Sequence, residues 1–129
     1  MEQTPDKKVE RAIQSPQLFL ERQDLLEELN LEKCVPFDTV EVHTANTVYC
    51  LMLIEPRMGH VVLENSMLFP AGVEAVILGS RVERSGLSLG RLKVGQKMEF
   101  WANDRHISTS PIHSIYVEHT QVTSLQLAT

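Results

Sequence analysis

The sequence predicts a mainly β protein: a small antiparallel β-barrel or β-roll of about six or seven strands, preceded by an N-terminal helical arm. Three observations carry that expectation. Composition changes near residue 34: residues 1–33 hold 8 acidic and 5 basic residues and no Gly, whereas residues 34–129 hold all 6 Gly and all 5 His. The later part is cut into short, β-branched apolar runs by turn-forming residues. No helix-sized segment separates those runs, which excludes parallel βαβ units, Rossmann folds and TIM barrels. The chain is therefore divided into an arm over 1–33 and a body over 34–129, with a two-sheet sandwich as the second architecture.

In the arm, Thr4-Pro5-Asp6 and Ser15-Pro16-Gln17 each place a hydroxyl cap before a proline, whose fixed φ suits the first helical position. The spacing predicts a short helix over 5–13 and a longer one over 16–30. On the second, Leu18, Phe19, Leu25, Leu26 and Leu29 fall within about 120° of arc, with Arg22 intruding and Leu20 and Leu31 off the stripe. That face either packs on the protein's own body or binds a protein partner or a second copy, as in a homodimer. Glu21, Asp24, Glu27 and Glu28 on the same helix would repel phosphate, which argues against helix-turn-helix DNA binding.

In the body, Asp38–Thr44 alternates and reads as a strand, followed by a tight Ala45-Asn46 connection. Thr47–Ile54 is apolar on both faces, the pattern of a central strand covered on both sides. Glu55 to Gly59 is a turn, and His60–Glu64 returns. Phe69 to Gly72 interrupts, Glu74–Leu78 is another strand, and 79–90 is expected to be a long loop. Arg91–Val94 and Lys97–Ala102 flank a turn at Gly95. Asn103-Asp104-Arg105 closes a hairpin onto His106–Thr109, Pro111 breaks the ladder or sits at an edge, and Ile112–His119 is the last clear strand. Residues 120–129 are a short strand or a polar tail.

Charge and composition exclude several function classes. With 17 acidic and 12 basic residues the net charge is −5, unlike a strongly basic nucleic-acid binder or a polybasic membrane anchor. No apolar run approaches the ~18–20 residues that span a bilayer, and the first eight residues lack the apolar core of a signal peptide, so no membrane partner and a cytoplasmic location are expected. Cys34 and Cys50 belong to no CxxC or Cys/His cluster and are expected to be thiols.

Specific chemistries fare no better. His43, His60, His106, His113 and His119 show no HxH or HxxxH spacing, so no metal site is assigned, although a cross-strand pair of His106 with His113 stays open. Ser80, Ser85 and Ser88 lie in a glycine-containing loop, where serine serves turn formation, no two carboxylates are paired by spacing, and the Gly79-to-Gly90 stretch lacks the GK[ST] of a phosphate loop. No catalytic residue and no cofactor are assigned. One window stands out: Arg81, Arg84, Arg91, Lys93, Lys97 and Arg105 against Glu83, Glu99 and Asp104 give +3 around Phe100 and Trp101. Small barrels bind single strands by joining basic grooves to stacking aromatics, so Trp101 with those six cations is a candidate nucleic-acid or anion site.

The body also carries Thr44-Ala45-Asn46-Thr47-Val48-Tyr49, Phe69-Pro70, Gly79-Ser80, Ser85-Gly86-Leu87, Gly95 with Met98-Glu99-Phe100, and Thr109-Ser110-Pro111-Ile112 with Ser114-Ile115. Over residues 40–117 it resembles a type of small, uncharacterised bacterial β-rich domain. That resemblance implies a bacterial cytosolic protein and supplies no catalytic residue. The sequence thus points first to a non-catalytic interaction or assembly module, second to an anion-binding barrel, and third to a small enzyme of unrecognised type.

Overall fold

Alternating apolar residues build most of the architecture. The computed structural model describes residues 23–82 and 86–119. Among them are β1 (Gln23–Leu26), β2 (Glu28–Asn30), β3 (Thr39–Thr44), β4 (Val48–Glu55), β5 (His60–Asn65), β6 (Phe69–Arg81), β7 (Leu87–Leu89), β8 (Arg91–Lys93), β9 (Lys97–Ala102) and β10 (Arg105–Glu118). Single 3-10 turns follow β2 (Leu31–Lys33) and β4 (Pro56–Met58). All strand pairs are antiparallel.

Six strands form a ring in the order β3, β4, β5, β6, β9, β10 and back to β3. The two long strands make it close. β6 pairs with β5 through its first half and with β9 through its second, while β10 pairs with β9 up to Pro111 and with β3 from Ile112 onward. Val40, Val42, Leu51, Leu53, Val61, Leu63, Met98, Phe100, Ile115 and Val117 point inward and are fully buried. Tyr49 meets Phe100 edge-to-face at 5.8 Å. The β2–β8 ribbon adds Leu29 and Leu92, which pair directly and are both buried.

The mainly β antiparallel expectation holds, but the helical arm does not from residue 23 onward. Leu25 and Leu26 lie in β1, paired with Tyr116 and Ile115, and Leu29 lies in β2. Local helix preference is worth only tenths of a kcal/mol per residue, and the free edge of β10 offers this segment backbone partners and burial instead. The helix over 5–13 and the first part of 16–30 fall outside the described residues, as do Leu18, Phe19 and the 120–129 tail.

Three further expectations change. Phe69 to Gly72 does not interrupt; it begins β6. The 79–90 loop is largely a hairpin, with Gly79 to Arg81 paired to Leu87 to Leu89. Gly79 has φ +147, and a Cβ there would strike the Ser88 carbonyl oxygen, so a side chain at this bulge would break the close approach. His106–Thr109 and Ile112–His119 are one strand: Pro111 sits inside β10 where the register shifts and the strand exchanges β9 for β3. The hairpin turn does form at Asn103 and Asp104, with φ of 53° and 63°.

Candidate functional site

Alternation along β9 sends Met98, Phe100 and Ala102 inward and leaves Lys97, Glu99 and Trp101 on the outside. The register then sets their neighbours. Trp101 lies between Val76 of β6 and His106 of β10, and Glu99 lies between Gly79 and Ser108. Trp101 is 46% exposed and its ring is 5.4 Å from that of His106.

Glu99 faces outward yet is only 5% exposed, because its neighbours fold over it. Arg81 Nε donates to Oε2 at 2.8 Å, and His106 Nε2 lies 3.2 Å from Oε1. The Arg81 hydrogen bond holds the Glu99 carboxyl below its ordinary value, against the upward push of burial, with the Arg81 charge and the His106 contact adding to it.

Two open depressions adjoin this face. One, of about 250 Å³, is lined by residues including Met58, Val76, Leu78 and Leu89; the other, of about 390 Å³, by residues including His60, Glu74, Val76 and Trp101. They share Val76, so the exposed side chains of Met58, Val76, Leu89 and Trp101 lie along one continuous surface. Its polar rim is Glu32, Arg57, His60, Glu74 and Asp104.

The basic window does not gather into one groove. Arg81 is engaged by Glu99, and Arg91 Nη1 lies 3.1 Å from Glu28 Oε2. Lys93 stands opposite Glu28 in the β2–β8 ladder. Lys97 and Arg105 occupy opposite ends of the β9–β10 pairing, roughly 16 Å apart along the strand. Arg84 lies outside the described residues. The leucine stripe also disperses: Leu29 is in the core, Leu26 packs against it, and Leu25 is exposed.

His106 and His113 cannot form the cross-strand pair left open by the sequence, because they share β10 seven residues apart, about 23 Å. No group of three or more His, Cys, Asp or Glu among the described residues is placed to hold a metal ion. Cys34 and Cys50 are free thiols. Burial, with the nearby Asp38 carboxylate, pushes Cys34 up to about 11, a poor starting point for a nucleophile at neutral pH. Asp38, 1% exposed, accepts from the Val35 amide and lies 3.1 Å from His119 Nδ1, joining the start of the body to the end of β10.

Sequence reading missed both buried carboxylates. Their ionic partners come from other strands or the far end of the chain: His119 is 81 residues from Asp38, and Arg81 and His106 are 18 and 7 from Glu99. The one available signal was Glu99 itself, a charge between Met98 and Phe100 in an otherwise apolar strand. Comparison with known proteins finds no match to a protein-family model, to the curated proteins or to the solved structures. The resemblance to small bacterial domains therefore stands only as a β-rich architecture.

Proposed function

We propose that this protein is a non-catalytic interaction module, a small β-barrel that docks a protein partner on its outer face around Trp101. The observation that carries this reading is the continuous exposed row of Met58, Val76, Leu89 and Trp101 across two adjoining depressions. Exposed apolar surface of this kind, rimmed by polar groups, is the usual mark of an interaction site, and Trp and Met are enriched in such sites. The rim carries Glu32, Glu74 and Asp104 against Arg57, so the complementary partner presents an apolar side chain flanked by Lys or Arg. Anion or nucleic-acid binding is the weaker reading, since Arg81 and Arg91 already face carboxylates.

The chain has one Trp, so its fluorescence reports on this surface directly. A photo-crosslinking residue at Leu89 is expected to capture a protein that a Val76→Glu variant with unchanged unfolding midpoint fails to capture, and adding that protein should shift Trp101 emission to the blue. Capture unaffected by Val76→Glu, or only of a second copy, speaks against a distinct partner. A single-stranded oligonucleotide titrated at two salt concentrations is expected to give no salt-sensitive shift; a strong one would favour the anion reading.

A further inference from the structure

The strand register sets one row of side chains across the outer face. His60 of β5 pairs with Val76 of β6, Val76 with Trp101 of β9, and Trp101 with His106 of β10. The apolar centre of the face, Val76 and Trp101, thus has a histidine at each end, and three strand spacings, about 14 Å, separate the two. Each histidine rests on a carboxylate. His60 Nε2 lies 3.2 Å from Glu74 Oε1, and His106 Nε2 lies 3.2 Å from Glu99 Oε1. The His106 ring also leans on the indole of Trp101, tilted by 59°. Both imidazoles are partly open to solvent, at 35% and 42% of their side-chain surface.

A carboxylate oxygen accepts, so at neutral pH Nε2 carries the N–H in each ring and Nδ1 keeps its lone pair. Acidification adds a proton at Nδ1 and a full positive charge to each end of the row. We propose that this row is a pH gate on the Trp101 face: with both histidines neutral it holds a partner whose apolar side chain is flanked by Lys or Arg, and with both protonated it lets that partner go. The inference rests on the docking reading above. The rim carries Glu32, Glu74 and Asp104 against Arg57, an excess of two negative charges, which two imidazolium ions cancel. Glu99 stands outside that count because Arg81 matches it. The new charges also face the partner's own cations, so attraction gives way to repulsion. Protonated His106 gains a cation–π contact with Trp101 and competes with the partner for the ring.

Other charged groups surround the two rings. Near His60 stand Glu55 across the β4–β5 ladder, Arg57 of the turn before β5, Glu74 of β6 and Asp104 of the β9–β10 turn. Near His106 stand Glu99 of β9, Arg81 of β6, and Asp104 and Arg105 next to it in the chain. Among these side-chain types, histidine is the one that changes charge between pH 5 and 8. Glu99, held below its ordinary value by Arg81, stays ionised throughout that range.

Trp101 is the chain's one Trp, so its quenching by caesium and by iodide reads the sign of the charge around the row in the full chain, without a partner. At fixed ionic strength the ratio of caesium to iodide quenching constants is expected to fall at least about threefold between pH 8 and pH 5.5. In the double variant His60→Gln with His106→Gln, which keeps an N–H for each carboxylate and retains the other histidines, it should stay within about 1.5-fold. A constant ratio in the unsubstituted chain overturns the proposal, and so does an equal fall in the double variant, which assigns the charge to other groups. Should that variant lower the unfolding midpoint, His106→Arg gives the second readout: its ratio is expected to be low already at pH 8, and a ratio equal to that of the unsubstituted chain overturns the gate. Crosslinking through Leu89 separates the gate from the docking reading. The protein captured at pH 7.5 should be lost at pH 5.5 by the unsubstituted chain and kept by the double Gln variant. Equal capture by the unsubstituted chain at both pH values overturns the gate, whereas capture at neither, with a ratio that still falls, overturns the docking reading on which the gate depends.

Discussion

Glu99 shows how one side chain ties pH to stability. Its carboxyl is nearly buried and depends on Arg81, which is itself 41% exposed in its side chain, so the pair is only partly shielded from water. Glu99→Gln is expected to cost about 1–3 kcal/mol at neutral pH, because the charged hydrogen bond from Arg81 to a nearly buried carboxylate is lost. The folded carboxyl titrates below its ordinary value of 4.5, so its contribution is present above that value and is lost as pH falls through the lower, folded one. Urea unfolding of both proteins should show the gap at pH 7 and see it close on acidification below about 4.5; a gap constant with pH would mean the carboxylate charge plays no part. The exposure of Trp101 follows from strand alternation beside Phe100, which was legible in the sequence. The burial of Glu99 was not, since it rests on a cross-strand arginine.

At the scale of elements, the informative case is the leucine-rich stretch 25–29. Its spacing fits a helical stripe, and its Leu and Glu content favours a helix, yet it forms two strands. The alternating reading was equally present, with Leu26 turned toward the core and Leu25 away from it, but a short apolar run supports either period. The structure expects Leu29→Ala to cost about 2–4 kcal/mol by chemical denaturation, as for a buried core leucine. Leu89→Ala, on an exposed strand end, should stay within about 0.5 kcal/mol. Equal, small effects at both positions would be the signature of a surface-lying segment at 25–29 instead of β2. Turns were read more securely than strand lengths. Asn103-Asp104 suits left-handed backbone whatever surrounds it, whereas the continuity of β10 through Pro111 depends on which neighbour lies on each side.

At the scale of the whole molecule, ring closure joins residues far apart in sequence, Thr39 to Glu118 through β3 and β10, and β1 adds Gln23 to Glu118 alongside the ring. Loop-closure entropy must be met before those pairings stabilise anything, so refolding followed by Trp101 fluorescence is expected in the millisecond-to-second range, as for other non-local β topologies. A microsecond phase carrying the full amplitude would contradict a ring assembled by long-range pairing.

The sequence by itself determined the β-rich antiparallel class, the turns after Thr44, Glu55 and Ala102, and the alternation of Val40 and Val42 against Glu41 and His43 in β3, because alternation and turn chemistry are local. Only the tertiary structure decided that 23–30 is strand, that β6 and β10 each serve two neighbours, that the basic window is dispersed among carboxylates, and that apolar side chains line the outer face. Each of those depends on which strand edges meet, and edges that meet across the ring leave no mark in neighbouring residues.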